Sequence, residues 1–275
     1  MRDDAGLVRR AFERAASGYD AVSALPREVG SRMLERLQYV KLAPGPILDA
    51  GCATGADSRE LRARYPDAHV IALDLALAML KRAQSMIRSS ALICADIARL
   101  PIRDESTAMV WSNLALPWAG YGVFAELQRV LAPGGLLMFS TLGPDTLKEL
   151  RAAWRDGYSH VNEFSDMHDI GDGLVESGFT APVMEREEIT MTYSSACGLL
   201  AELKAQGSRT LNRKRRRGLG GKACWLEAID SYDAMKRDDR VPATFEVIIA
   251  HAWKPERRRS DARPIKMYTR RPPDV

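Results

Sequence analysis

The chain has 275 residues, enough to bury one sizeable core and to carry an appended substrate-binding subdomain. Hydrophobic residues at 46% and charged residues at 28% are those of an ordinary soluble globular protein, and the net charge is a modest +4. No apolar stretch approaches the roughly 20 residues of a membrane span, so an integral membrane protein is excluded.

The first residues and the cysteines both indicate a cytoplasmic protein. The chain starts Met1-Arg2-Asp3-Asp4 and continues into an amphipathic stretch, which differs from the apolar core of a signal peptide. The cysteines are scattered and form no CxxC pair, and they are Cys52, Cys94, Cys197 and Cys224. We therefore expect reduced thiols and no metal site.

Strands and helices alternate along the chain. Apolar spacing predicts two helices within residues 5–38 and then a strand at 46–50, a helix at 57–64, a strand at 69–73, a helix at 76–86, strands at 91–94 and 108–111, a helix at 123–131 and a strand at 136–140. Two late strands, 183–193 and 244–253, enclose helices at 196–206 and 224–236. This order predicts an α/β fold with a doubly wound, mostly parallel seven-stranded sheet.

The same pattern suggests how the chain is organised. We expect a single domain over residues 1–253, with an N-terminal helical lid at 1–40 and a cofactor-binding core at 45–142. The insertion at 194–238 is too long for a hairpin turn and is interpreted as a helical cap over the site. Residues 254–275 are expected to form a disordered basic tail.

A ligand site is expected where the first three strands end. The segment Asp49-Ala50-Gly51-Cys52-Ala53-Thr54-Gly55 follows the first strand, and its small residues let the backbone approach a ligand closely. Asp74 and Leu75 follow the second strand, where an acid typically accepts both ribose hydroxyls. Asp96 and Ile97 follow the third, placed to hold an adenine amino group and to pack on its ring.

A nicotinamide dinucleotide is the competing ligand for such a loop. Its fingerprint, GxGxxG, rests a pyrophosphate on a helix N-terminus. Here an acid, Asp49, leads the loop; it suits the ammonium and sulfonium of S-adenosylmethionine and would repel a pyrophosphate. The three acidic strand ends together favour the methyl donor.

The pattern over residues 45–142 resembles the class I methyltransferases. The resemblance implies that Gly51, Ala53 and Gly55 line the methionine part of the cofactor, and that Asn113, at the end of strand four, lies beside the methyl. It also implies the roles of Asp74 and Asp96 given above. One departure is Ala53, which stands where the family usually has its middle glycine.

Motifs outside the core are more specific. They are Phe12–Asp20, Ser112–Leu116 with Trp118, Phe139–Leu150, His160–Asn162 with Phe164 and Asp166–Asp172, and Pro242–Val247. With them, the chain resembles the malonyl-acyl-carrier-protein O-methyltransferases of biotin synthesis from about Phe12 to Trp253. The resemblance implies a malonyl thioester, on acyl carrier protein or coenzyme A, as substrate.

The implied substrate ends in a carboxylate, which is ionised at neutral pH because carboxylic acids titrate near about pH 4. It needs in-line placement against the methyl and no general base. A buried carboxylate also needs positive or hydroxyl partners. The candidates are Tyr19 in the lid, and Lys148 and Arg151 after strand five. His160 and His168 are interpreted as cap or loop hydrogen bonders, and Asp166 as a helix N-cap.

Two other functions stay open at this point. A protein- or RNA-modifying methyltransferase would use the basic cluster Arg213–Arg217 to grip phosphates, although the chain has no recognisable RNA-binding module and we expect no nucleic acid. A homologue of the complex I assembly factors, associated with arginine hydroxylation, would be expected to carry an arginine-rich targeting peptide, and the N-terminus does not resemble one. For a malonyl-carrier-protein substrate, the basic cluster is either a docking patch for the acidic carrier protein or a solvated loop.

Overall fold

A computed structural model describes residues 2–42, 45–87, 91–208 and 221–257. Both the basic cluster 213–217 and the chain from residue 258 onward therefore lie outside the described residues. Within the described residues, no helix is both long enough and apolar enough to cross a membrane.

The helices are α1 (Arg2–Ala15), α2 (Tyr19–Val22), α3 (Ala24–Arg36), α4 (Ala56–Arg64), α5 (Leu77–Met86), α6 (Leu116–Ala119), α7 (Phe124–Val130), α8 (Lys148–Ala153), α9 (Met167–Glu176), α10 (Ala196–Ala205) and α11 (Lys222–Asp233). The strands are β1 (Ile47–Ala50), β2 (Val70–Asp74), β3 (Ala91–Cys94), β4 (Thr107–Ser112), β5 (Leu131–Leu142), β6 (Thr180–Tyr193) and β7 (Val241–Trp253).

The strands form one seven-stranded sheet in the order β3-β2-β1-β4-β5-β7-β6. The first five strands run parallel, whereas β7 is antiparallel to both of its neighbours. The strand order reverses at β1, so the crevice between β1 and β4 is the switch point at which ligands bind in such sheets. This confirms the predicted doubly wound α/β fold.

Alternating side chains of the central strands build a core on each face of the sheet. Met109 and Trp111 of β4 point to one face, whereas Val110 points to the other, as the two-residue period of a strand requires. Phe139 of β5 is completely buried on the second face, against Phe124 of α7. Truncating such a phenylalanine to alanine costs about 3–5 kcal/mol.

Strand β5 is longer than predicted, because the helix at 123–131 and the strand at 136–140 left a turn at 132–135 between them. The structure continues the strand through this turn as a bulge, because the pairing with β4 jumps from Thr107–Leu131 to Met109–Leu136. Gly134 has a φ of +76°, which a glycine adopts without strain. Its N–H donates to the carbonyl of Lys254, so the end of β7 satisfies the bulged backbone.

The N-terminal region forms three helices rather than the two predicted. The break between α2 and α3 falls at Ser23, three residues before Pro26. Proline is tolerated in the first turn of a helix and disrupts an interior, so α3 starts anew at Ala24.

These N-terminal helices are fastened to the sheet's ligand-binding edge. The Glu13 carboxylate accepts hydrogen bonds from the N–H groups of Leu77 (2.8 Å) and Ala78 (3.0 Å), capping α5 from another part of the chain. The Thr54 hydroxyl donates to Asp20 at 2.6 Å. Helices α1 to α3 therefore cover the loop that follows β1.

Candidate functional site

A cavity of about 1000 Å³ opens at the carboxyl ends of the parallel strands, beneath the N-terminal helices. Of the residues predicted from the sequence, it is lined by Tyr19, Gly51, Ala53, Asp74, Leu75, Asp96, Ile97 and Asn113. The structure therefore brings most of the predicted site residues together around one space, at the position where such sheets bind ligands.

The loop after β1 requires glycine at its first small position. Gly51 has a φ of +90°, and a Cβ there would lie 2.4 Å from the Cβ of Ala115, which follows β4. The loop after β1 thus packs directly on the loop after β4, and this contact closes the floor of the cavity.

Gly55 has a packing role in the structure. Its φ is +88°, and a Cβ would meet Ala83 at 3.1 Å and Ile87 at 3.2 Å, both in the α5 region. Gly55 is not among the residues that line the cavity. It allows the loop to pack against the α5 region, and its place beside the cofactor stays a prediction.

Ala53 occupies the position of the family's middle glycine, and its backbone is strained there. Its φ is +46°, in the left-handed region, which costs an alanine about 1–2 kcal/mol. Its N–H donates to Asp74 Oδ2 at 2.9 Å, which holds the loop in this conformation.

Asp74 is fixed by the backbone and faces the cavity. Besides the bond from Ala53, its Oδ1 accepts the N–H of Ala76 at 2.8 Å. Burial raises the pKa of Asp74 to about 6, although these backbone hydrogen bonds oppose the shift. Each carboxylate oxygen retains a lone pair for a further donor, as a ribose diol would need.

Asp96 and Ile97 flank the same space after β3. Asp96 Oδ1 accepts the N–H of Ala98 at 2.9 Å, so its orientation is set by its own turn. Ile97 is buried and lines the cavity with Trp118, whose ring meets Phe12 of α1 edge to face with centroids 5.6 Å apart. This end of the cavity is a flat apolar slot with an acid at its edge.

Asp49 is not among the residues that line the cavity, and its contact with the cofactor stays a prediction. Its side chain is 1% exposed and accepts a hydrogen bond from the Ser58 hydroxyl beneath the loop. Burial, followed by the nearby carboxylate of Asp57, raises its pKa well above the ordinary value. A strand buried on both faces keeps that side chain beneath the loop.

Asn113 lines the cavity, but its amide is occupied by the protein. Nδ2 donates to the carbonyl of Pro26 (2.8 Å) and to Asp57 Oδ2 (2.9 Å), while Oδ1 accepts from the Ser140 hydroxyl at 2.8 Å. Both amide hydrogens are used, so this side chain ties α3, α4 and β5 together and has none left for a ligand.

Asp57 is the acid that sequence reasoning missed. Its Oδ2 also accepts Trp111 Nε1 at 3.0 Å, and a Cβ on Gly30 would lie 2.5 Å from its Oδ1. Burial raises its pKa, although the hydrogen bonds from Trp111 and Asn113 oppose the shift. The available signal was an acid in the first turn of the helix that follows the glycine loop, which is too common to single out.

Tyr19, the first residue of α2, lines the cavity. Burial, followed by the carboxylates of Asp74, Asp57 and Asp20, raises the pKa of its hydroxyl above the ordinary value. Tyr19 is therefore a neutral hydrogen-bond donor across the physiological range.

The far side of the cavity has an apolar wall with a few polar groups. The apolar side chains include Leu142, Leu147, Leu150, Val161, Phe164 and Phe245. The polar ones include Thr146, His160, Asn162 and Lys204. This side lies over the ends of β5 and β7, across β1 from Asp74 and Asp96.

Lys148 and Arg151 are not among the lining residues, contrary to their predicted place beside a substrate. Lys148 Nζ lies 3.4 Å from Glu188, and the Arg151 guanidinium donates to the carbonyls of Pro144 (2.7 Å) and Thr146 (3.1 Å). Leu147 and Leu150 line the cavity from the same turn, whereas the charged ends of Lys148 and Arg151 are held by these other partners.

The first acid after residue 165, Asp166, caps a helix. Asp166 Oδ1 accepts the N–H groups of His168 (2.8 Å) and Asp169 (3.0 Å), which confirms the predicted N-cap of α9. Across the described part of the chain, no group of three or more His, Cys, Asp or Glu side chains could hold a metal ion.

The fold and this site together define a class I methyltransferase. A family model described as "Methyltransferase domain" matches residues 48–139. A putative methyltransferase from Bacillus halodurans superimposes with a TM-score of 0.60 at 19% identity, covering 82% of this chain and 99% of that one. Phosphoethanolamine N-methyltransferase 2 of Haemonchus contortus, solved in complex with S-adenosyl-L-methionine, has a TM-score of 0.52 at 15% identity, covering 88% and 57%.

Curated relatives define the family more closely. A protein of Gallionella capsiferriformans is 50% identical over 267 residues, covering 92% of this chain and 91% of its own. One from Legionella pneumophila is 42% identical, covering 92% of each. Both are named malonyl-[acyl-carrier protein] O-methyltransferase, and the chain belongs to this family.

Proposed function

We propose that the protein transfers the methyl group of S-adenosylmethionine to the free carboxylate of a malonyl thioester on acyl carrier protein, as a cytoplasmic step of biotin synthesis. The observation that carries the proposal is the two-sided cavity, acid-edged over β2 and β3 and apolar over β5 and β7. Family membership favours this substrate over nucleic acid or an arginine side chain.

The residues present fit S-adenosylmethionine. Asp74 can accept two ribose hydroxyls, Asp96 an adenine amino group, and Ile97 can pack on the ring. Two carboxyl side chains, Asp74 and Asp96, line this side of the cavity. Their ionised forms attract a cationic ligand and repel a pyrophosphate, which argues against a dinucleotide.

The reaction requires the protein mainly to position the methyl donor and the carboxylate. S-adenosylmethionine supplies an electrophilic methyl on a sulfonium, and the malonyl carboxylate is already ionised at neutral pH. Holding the two in line can contribute about 7–11 kcal/mol. Tyr19 is placed to donate a hydrogen bond into the same space, and its neutral hydroxyl cannot act as a base at physiological pH.

The organisation of the chain suits this reaction. We propose that residues 1–40 act as a lid over the cofactor and residues 194–238 as a cap over the acyl side. Val8 and Phe12 of α1 line the cofactor side, while Leu200 and Leu203 of α10 line the acyl side. The core at 45–142 supplies the floor between them.

The carrier protein is expected to dock near the cap. Ser208, which lines the cavity, is the last described residue before the basic cluster 213–217. Acyl carrier proteins are strongly acidic, so the basic residues that follow Ser208 in the sequence are complementary to them in charge.

The direct test incubates the purified protein with methyl-labelled S-adenosylmethionine and malonyl-acyl carrier protein. We expect a labelled methyl ester on the malonyl group and none with acetyl-acyl carrier protein, which has no nucleophilic carboxylate. Label on the carrier polypeptide itself, or none on the malonyl group, would reject the proposal.

A further inference from the structure

Three residues that line the cavity have a left-handed backbone although none of them is glycine. They are Ala53, Leu114 and Leu147, with φ of +46°, +50° and +56°. This region is unfavourable for any residue with a Cβ, and a bulky residue in it is a genuine outlier. Backbone strain of this kind clusters at functional sites, where the surrounding structure holds it in place. The two leucines therefore call for a functional explanation.

The other described residues with such a backbone lie elsewhere in the molecule. They are Glu105, Ala181, Asp238 and Asp239, and none of them lines the cavity. Asp238 and Asp239 are exposed in the turn before β7, and aspartate tolerates this conformation better than most residues. Of the leucines that the structure describes, only Leu114 and Leu147 have a positive φ, and both line the cavity.

Hydrogen bonds to neighbouring strands hold both leucines in this conformation. The Leu114 N–H donates to the hydroxyl of Ser140 in β5 at 3.0 Å, and the Leu147 N–H donates to the carbonyl of Thr244 in β7 at 2.6 Å. Both bonds use the backbone N–H, which glycine also has. Because glycine would make the same bonds without strain, the backbone conformation does not explain why these residues are leucines.

The side chains of both leucines belong to the apolar part of the cavity. Leu147 is 7% exposed and is a buried member of the hydrophobic cluster that also contains Leu150, Val161 and Phe245. Leu114 is partly buried and packs against the same cluster. These neighbours line the cavity as part of its apolar wall. What leucine adds over glycine at these two positions is therefore apolar volume at the edge of the cavity.

Leu114 also lies next to the loop that is expected to hold the cofactor. It is the second residue after β4, and the residue that follows it, Ala115, packs on Gly51 of the loop after β1. Leu114 therefore lies where the cofactor side of the cavity meets the acyl side. A side chain at this boundary limits the space in which an acyl group can place its carboxylate against the methyl.

We propose that Leu114 and Leu147 are specificity-determining residues that limit the length of the acyl group. This inference rests on the proposed function. The two side chains fill space that the additional methylene of a succinyl group would need. A longer acyl group must then displace them or hold its carboxylate out of line with the methyl. Discrimination against one methylene in an apolar pocket is worth about 10- to 200-fold in kcat/KM.

The test measures initial rates of methyl ester formation with malonyl- and succinyl-acyl carrier protein. We expect the wild-type protein to prefer malonyl about 100-fold in kcat/KM. Leu114→Ala, Leu114→Gly, Leu147→Ala and Leu147→Gly should each reduce this ratio about 10-fold, because each removes volume that excludes the additional methylene. An unchanged ratio in both Leu114 variants would overturn the proposal.

Comparison of the alanine and glycine variants separates the role of the side chain from that of the backbone. Alanine removes most of the side chain and keeps the strained Cβ, whereas glycine removes both. Each glycine variant should therefore melt at a higher temperature than the matching alanine variant, with the same selectivity. If only the glycine variants lost the preference for malonyl, the backbone and not the leucine volume would determine acyl length, which would overturn the proposal.

Asp238→Gly is the matched control, because it relieves a left-handed backbone that lies away from the cavity. It should leave the malonyl-to-succinyl ratio unchanged, and an equal loss of selectivity in this variant would count against the two leucines. The Leu114 variants keep the test decisive if the buried Leu147 cannot be truncated without unfolding, since Leu114 is only partly buried.

The wild-type protein distinguishes failure of this inference from failure of the proposed function. If it forms no methyl ester on malonyl-acyl carrier protein, the proposed function fails. If it forms the ester on malonyl and succinyl at equal rates, the proposed function stands and the limit on acyl length is rejected.

Discussion

Asp74→Ala tests the cofactor assignment most directly. In the structure both oxygens of this carboxylate are already positioned by the N–H groups of Ala53 and Ala76, and the side chain faces the cavity. Two ribose hydroxyls donating to a preorganised carboxylate are worth about 2–4 kcal/mol, which corresponds to a loss of affinity of about 30- to 1000-fold.

The assay is calorimetric titration with S-adenosylmethionine, accompanied by thermal unfolding, because the substitution also frees the loop at Ala53. Asp67→Ala, an exposed acid in the turn before β2, is the matched control and should bind as the wild-type protein does. Wild-type affinity in a folded Asp74→Ala protein would remove this residue from the site. Tighter binding of a dinucleotide than of the methyl donor would refute the reasoning as a whole.

The pH dependence gives an independent check. Burial raises the pKa of Asp74 to about 6, so the ionised acceptor is formed only above that value, and affinity should rise as the pH passes through about 6. The pH dependence of the free energy of unfolding has the opposite sign to that of cofactor affinity. A folded state that holds the proton more tightly than the unfolded state loses stability between about pH 4 and 6, as the unfolded chain releases that proton first. Asp74→Asn should flatten both profiles.

Three further outcomes are expected. Ala53→Gly should remove the backbone strain of a left-handed alanine and stabilise the fold by up to about 1 kcal/mol. The melting temperature should then rise by about 2–4 °C while cofactor affinity stays unchanged. A lower melting temperature would contradict this expectation. Succinyl and glutaryl thioesters should react about 100-fold more slowly than malonyl in initial-rate assays, because an added methylene moves the carboxylate by about 1 Å; equal rates would show that the cavity does not measure chain length. Replacing Arg213, Lys214 and Arg215 with glutamate should raise KM for malonyl-acyl carrier protein at low salt and leave kcat unchanged, with the difference shrinking as salt is added; wild-type KM at low salt would exclude docking there.

The loops that form the site could be predicted from the sequence because each follows directly from a strand that precedes it. The prediction used small residues directly after one buried strand and acids directly after each of the next two strands. These positions indicated which loops meet at the switch point, and the observed strand order agrees. The orientation of individual side chains was less accessible. Asp49 belongs to a strand covered on both faces, and Gly55 packs on α5, so neither faces the cavity.

Contacts between distant parts of the chain account for the remaining differences. The carboxylate of Asp57 is held by Trp111 and Asn113, 54 and 56 residues further on, which no local pattern encodes. Lys148 and Arg151 matched the charge that an acidic substrate needs, yet their charged ends are held by Glu188 and by the carbonyls of Pro144 and Thr146, and neither residue lines the cavity. The sequence pattern thus indicated which type of residue the site requires, but not which residue of that type lies in the cavity.

The fastening of the N-terminal helices has a consequence for how the chain matures. Glu13 finds its partners 64 and 65 residues later, and the carbonyl of Val22 accepts from Gln206, 184 residues away. During synthesis the first helix therefore emerges long before its docking surface, with Val8, Ala11 and Ala15 uncovered. At about 5–20 residues per second this exposure lasts seconds or more, a window in which a chaperone can hold the nascent chain. Helix α1 can therefore dock only after the residues that it contacts have been synthesised.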